Sequence, residues 1–186
     1  MSLAASGFFP VPYRLGSIPS GEAGVAATLA IMVKIVLQYR ASPDVRVTAQ
    51  TLVRDCASRD TVCQVKALHA FVRDCIKYLP DVRDVETIQT PDYTLAMRSG
   101  DCDDHSVLLA SLLESIGKQT RFLAIAVRGG DFSHVSSQVY LGSRWVNLET
   151  IVPKLKEPWA HLPAGYPTPI GWFPNDATRV MPARVP

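Results

Sequence analysis

The sequence has no run of basic residues, no C-x-x-C pair, no uninterrupted apolar stretch of some 20 residues and no glycine-rich phosphate loop. Each absence removes a class of function. The 19 Lys plus Arg are scattered singly against 17 Asp plus Glu, leaving a net charge of +2, so neither a nucleic-acid footprint nor a patch for anionic membranes is expected. The longest apolar stretch, Val25 to Leu37, is interrupted by Lys34 and falls short of the roughly 20 residues of a spanning helix. The opening MSLAASGFFPVPYRL lacks a basic n-region and is broken by Pro10 and Pro12, so it does not read as a secretory signal, and a cytoplasmic location is expected. No H-E-x-x-H or Walker-type loop occurs, and Gly129-Gly130 reads as a turn. Asp101, Asp103 and His105 alternate like metal ligands, but an EF-hand loop would need Gly in place of Ser106 and Glu in place of Leu112. Neither a metal nor a cofactor is expected.

What is present suits one compact domain: 186 residues, 47% hydrophobic, 19% charged. A chain of this length buries roughly 70% of its unfolded surface and needs no disulfide to acquire a core. The four cysteines, at 56, 63, 75 and 102, are therefore read as reduced thiols. Cys56, Cys63 and Cys75 fall in apolar-periodic segments and read as small buried hydrophobes.

The first 80 residues carry helical periodicity. Ser20-Gly21 opens a helix with apolar residues at 25, 26, 29, 32, 33, 36 and 37. Ser42-Pro43 reads as an N-cap with Pro at the first helical position, starting a second helix to about Ala57. Asp60 can cap a third, periodic through Val62, Val65, Leu68, Val72 and Ile76 until Pro80. His69 on that helix reads as an ordinary surface or core-edge histidine. Residues 81–90 show no sustained period, and Thr90-Pro91 begins a short helical turn that Gly100 ends.

The run Ser99-Gly100-Asp101-Cys102-Asp103-Asp104-His105-Ser106 then precedes a long apolar helix. Asp101 is a good N-cap, and Asp104 three residues on completes a variant capping box. Cys102 therefore falls on the first helical turn, where unpaired N–H groups and the helix dipole favour a thiolate. Acids beside it would oppose that if their side chains pointed at the sulfur. Local sequence leaves a nucleophile and a buried thiol equally open.

Downstream, 121–127 reads as a buried strand, and His134 to Leu141 and Arg144 to Ile151 as two strands joined by Gly142-Ser143, a type II′ hairpin pattern. With Leu141 facing Arg144, Ser136 lies across from Glu149. Alternation puts His134, Ser136, Gln138 and Tyr140 on one side with Trp145, Asn147 and Glu149, and Val135, Val139, Leu141, Val146 and Leu148 on the other. Glu149 lies diagonal to His134, within reach of an imidazole N–H. A thiol, a base and an acid that orients the base make up the equipment of nucleophilic acyl transfer. An exposed polar sheet face is the plainer reading.

At these residues the sequence resembles the transglutaminase-like superfamily. G-D-C-D-D at Gly100 to Asp104 resembles its nucleophile motif, F-S-H-V its His motif at His134, and R-W-V-N-L-E-T its acid-bearing strand with Glu149 at the acid position. Tyr78 and the run Glu86 to Pro91 resemble the approach to the Cys in small bacterial and bacteriophage members. The likeness covers about residues 65–152 well and the helical part before it more loosely. It implies an α+β, papain-like fold: N-terminal helices and a nucleophile-bearing helix packed on a small antiparallel sheet. It also implies acyl transfer on a protein or peptide substrate through a thioester, with Cys102 as nucleophile, His134 as base and Glu149 holding it. Water as acceptor gives a peptidase or amidase, an amine a transglutaminase. The oxyanion hole would use the Cys102 backbone N–H and a second donor, for which Gln89 is the candidate.

Two departures stand out: the family acid is usually Asp, one methylene shorter than Glu149, and Ser136 replaces a bulkier residue. They keep open a non-catalytic structural or assembly protein on the same fold, conceivably a bacteriophage virion component that binds phage structural proteins. The domain is drawn at 1–152. Residues 153–186 hold eight of the 14 Pro with Trp159, Tyr166, Trp172 and Phe173, and read as an extension that wraps the domain or binds another protein. His161 there has no identifiable partner.

Overall fold

The computed structural model describes residues 13–14, 21–81, 87–127, 132–151 and 177–186. Its elements in chain order are β1 (Tyr13–Arg14), α1 (Glu22–Tyr39), α2 (Pro43–Val53), α3 (Thr61–Cys75), β2 (Lys77–Tyr78), β3 (Thr87–Ile88), α4 (Pro91–Met97), β4 (Ser99–Gly100), α5 (Cys102–Ser115), β5 (Thr120–Val127), β6 (Phe132–Leu141), β7 (Arg144–Leu148) and β8 (Ala177–Arg184). The architecture is α+β.

Short polar side chains set the helix starts. Ser42 accepts from Val45 N–H, Asp60 from Cys63 N–H and Thr90 from Tyr93 N–H, each supplying a partner that the first turn lacks. The second helix stops at Val53 rather than near Ala57, and the third at Cys75, where Ile76 turns extended and the chain enters β2. α4 ends before Gly100 because Arg98 itself takes the left-handed conformation, φ 55°. Its guanidinium lies 5.0 Å from the centre of the Phe71 ring, a cation–π contact on α3 that accompanies this unusual C-cap.

Helix α5 is the centre of the molecule. Every residue from Asp103 to Leu113 is buried. Leu108, Leu109, Leu112 and Leu113 pack into a core shared with α2, α3 and the far end of the β6–β7 hairpin. Val107 and Ala110 face a second core formed with α1, Phe122 of β5 and Val135 of β6. The helix is sandwiched between helices and sheet, which is why it is apolar on nearly all sides beyond its first turn.

The main sheet runs β7-β6-β5-β8, antiparallel at every pairing. β6 and β7 pair Leu141 with Arg144 and continue to Ser137 with Leu148, the register the two-residue turn predicts. Gly142 takes φ 67° while Ser143 does not go positive, the II′ pattern. Pairing stops one step early: β7 ends at Leu148, and Glu149 leaves the ladder. β8, from the end of the Pro-rich segment drawn as an extension, is a sheet strand, and its Pro182 sits on an edge, where a missing N–H is tolerated. His161, Trp159, Tyr166, Trp172 and Phe173 lie outside the described residues.

Two expectations for the cysteines are corrected. Cys56 and Cys63 form a disulfide with Cα atoms 5.7 Å apart, because the loop after α2 turns back onto the first turn of α3. Cys75, at the end of α3, is exposed rather than buried. Replacing Cys56 and Cys63 together by Ser is expected to lower the free energy of urea unfolding by about 2 kcal/mol, the entropy of a loop this short, when measured without reductant.

Candidate active site

The chain reaches the start of α5 through a tight crossing. β2 and β4 pair in parallel, Tyr78 opposite Gly100, and Leu79 N–H donates to the Gly100 carbonyl at 2.9 Å. The Asp101 carboxylate accepts from Asp103 N–H and Asp104 N–H, and Asp104 returns an oxygen to Asp101 N–H, so both halves of the capping box are made. The second Asp104 oxygen accepts from Gln89 N–H at 2.7 Å, tying the β3–α4 loop to the same turn. Gly100 is needed for a steric reason: a Cβ there would stand 2.5 Å from the Asp104 Cβ. Burial and the charge of Asp101 push the Asp104 carboxyl up to about 7, against the pull of its two N–H donors.

Cys102 opens the helix and faces a cleft of about 500 Å³. One wall is apolar, from Val25, Leu29 and Met32 of α1; across it stand Tyr78, Phe132 and His134. The Cys102 thiol donates toward Asp103 Oδ1 at 3.5 Å. The Asp101 and Asp103 carboxylates and the sulfur all lie within 4.8 Å of one another. The helix dipole, which favours a thiolate, is opposed here: burial first, then the charges of Asp103 and Asp101, push the thiol well above its ordinary value.

His134, on β6 and also lining the cleft, donates Nε2–H to Glu149 Oε2 at 2.7 Å. That fixes the tautomer and leaves Nδ1 as the basic nitrogen. Glu149 is nearly buried, and its other oxygen accepts from Thr150 N–H and Ile151 N–H at 2.9 and 2.8 Å. Burial alone would raise this carboxyl, but the hydrogen bond and charge of His134 and the two N–H donors hold it below its usual range. The extra methylene of Glu is absorbed by folding the side chain back over its own backbone, which also explains why β7 ends where it does.

The middle of the remaining polar face is buried, while Tyr140 at its turn end is exposed. Ser136 is buried and donates to Asn147 Oδ1 at 2.6 Å, and Gln138 accepts from Arg121 Nε at 2.6 Å. Sequence reasoning also misplaced His69. It is fully buried and donates Nε2–H to the Glu149 carbonyl at 2.5 Å, with its pKa lowered chiefly by burial. Nothing local could have revealed this, since the partners are 80 residues apart. His105, one turn into α5, is likewise buried against the Lys77 backbone, and burial pushes it down to about 4.

Of the two candidates for an oxyanion hole, Cys102 keeps a suitable place: as the first helical residue its N–H has no acceptor within the helix. Gln89 does not line the cleft, and its Oε1 accepts from the Thr94 hydroxyl at 3.2 Å. Tyr78, quoted above only as part of a resemblance, does line it.

A family profile described as the transglutaminase-like superfamily matches residues 46–150, from α2 to just past Glu149. The chain belongs to the transglutaminase-like superfamily. Two solved structures share its fold. The "putative cysteine protease" of Cytophaga hutchinsonii is 17% identical with a TM-score of 0.50, the match covering 64% of this chain and 42% of that one. The "putative protease" of Parabacteroides distasonis is 16% identical with a TM-score of 0.55, covering 80% of this chain and 32% of that one. This transglutaminase-like chain thus spans less than half the length of either. No curated protein matches it.

Two outcomes are expected at the first turn of α5. Gly100→Ala displaces Asp104 and opens the capping box, costing about 1–2 kcal/mol in chemical unfolding. Asp103→Asn removes a negative charge that disfavours the thiolate, so the Cys102 pKa falls and alkylation by iodoacetamide at pH 8 becomes several-fold faster, read by peptide mass spectrometry that separates Cys102 from Cys75.

Proposed function

We propose that the protein is a cysteine-dependent acyl transferase acting on peptide-like amides through a thioester. The observation that carries this reading is the joint presence, on one cleft, of the Cys102 sulfur and a His134 ring held through Nε2 by Glu149. Burial and the Asp103 and Asp101 carboxylates favour the protonated thiol, so the reaction is drawn as general-base catalysis rather than from a preformed ion pair. Nδ1 of His134 takes the thiol proton as sulfur attacks the amide carbonyl. The C–N bond then breaks, and His134 returns the proton to the departing amine. Water or an acceptor amine attacks the thioester, again giving a proton to His134, and the thiol is restored as the acid or new amide leaves. Glu149 keeps the ring in one tautomer and stabilises the imidazolium.

The developing oxyanion is assigned to the Cys102 N–H and the Tyr78 hydroxyl. Tyr78 is held beside Gly100 by the β2–β4 pairing, and burial first, then the nearby Asp101 and Asp103 carboxylates, push its phenol up. The apolar α1 wall suits a hydrophobic side chain of the substrate.

A second reading, a non-catalytic binding protein on this fold with a phage structural protein as one conceivable partner, draws support from the acids that disfavour the thiolate. Incubation with a peptide library and a tagged amine separates the two. The enzyme reading expects cleavage, deamidation or amine incorporation by mass, abolished in Cys102→Ala, with Tyr78→Phe slower by roughly 10²-fold. Absence of all three products, together with Cys102 alkylation indifferent to His134→Ala, favours the binding protein.

A further inference from the structure

A buried imidazole is costly unless its N–H finds an acceptor. His69 sits on α3 between Leu68 and Val72 in the helical core, with no exposed surface, and its Nε2–H reaches the backbone carbonyl of Glu149. That carbonyl belongs to the first residue beyond β7, where the β6–β7 ladder has already stopped at Ser137 and Leu148. On its far side the chain is held by Thr150 and Ile151 N–H groups donating to the Glu149 carboxylate itself. The Glu149 peptide is thus fixed from the helix side by one side chain and from the chain side by its own carboxylate. An apolar residue at 69 would fill the same volume and leave the carbonyl without this donor.

We propose that His69 is a positioning residue for the His134–Glu149 pair: its Nε2–H replaces the missing ladder partner and fixes the backbone from which the Glu149 carboxylate reaches His134. The inference rests on the acyl-transfer reading, in which the angle of the His134 ring controls proton transfer from Cys102. Small displacements of such a ring are costly, since misplacement by about 1 Å can lower a rate by up to 10²-fold. A merely space-filling His69 would affect stability and leave the ring's behaviour alone.

The test uses the full chain and two substitutions. Gln places its Nε2–H where the His69 Nε2–H stands, whereas Met has similar length and no donor. Cys102 alkylation by iodoacetamide at pH 7 is followed by peptide mass spectrometry, and the hydrogen-bonded His134 Nε2 proton by NMR. His69→Gln is expected to stay within about twofold of the parent rate and to keep the proton resonance, while His69→Met loses the resonance and slows about tenfold, as Glu149→Gln does. A folded His69→Met chain with the parent rate and resonance, beside a slow Glu149→Gln chain, removes the role of His69 alone. If His134→Ala and Glu149→Gln both keep the parent rate, the acyl-transfer reading falls instead, and this inference with it. Should His69→Met fail to fold, the parent protein decides: ¹⁵N spectra must show His69 as the Nε2–H tautomer, and an Nδ1–H ring overturns the proposal.

Discussion

Burying the N-terminus of α5 is the constraint on which the rest of the molecule turns. At a helix start packed between helices and sheet, Asp101 and Asp104 supply partners from the same turn to the N–H groups of Asp101, Asp103 and Asp104. Asp104 also takes Gln89 N–H, fastening the neighbouring loop, and its close approach demands glycine at position 100. The parallel contact of β2 with β4 follows from the same packing and brings Tyr78 to the cleft.

This solution has an electrostatic consequence. The dipole of a helix start favours negative charge, but the carboxylates that satisfy and flank this one already provide it. Cys102 shares the turn with them, and its thiol gives its hydrogen to Asp103 instead of ionising. Structural capping and thiol activation compete for one small volume of positive potential. The His134 ring lines the same cleft as this sulfur.

The His134 ring in turn depends on a hub at Glu149. Its carboxylate joins the imidazole of β6 to the backbone beyond β7, and its carbonyl receives a donor from α3. Three parts of the fold meet at one residue, so the longer acid is accommodated without loosening the site. Membership of the transglutaminase-like superfamily accounts for the arrangement of helix and sheet. The folded-back glutamate and its buried histidine are features of these side chains.

Local signals were legible where a few adjacent residues settle the energetics. Ser42, Asp60, Thr90 and Asp101 each declared a helix start, because capping is completed within four residues. Gly142-Ser143 declared the β6–β7 register, and alternation then brought His134 and Glu149 to the same side. Arrangements set by distant chain segments or by burial were not legible: His69 under Glu149, Gln89 bonded to the Thr94 hydroxyl, Arg98 in a left-handed cap against Phe71, and Cys56 closed onto Cys63. The sequence by itself determined the helix start that carries Cys102 and the hairpin register that puts His134 and Glu149 on one side. Tertiary structure decided their protonation and orientation, because desolvation and the direction of a neighbouring carboxylate exist only once the helix is buried.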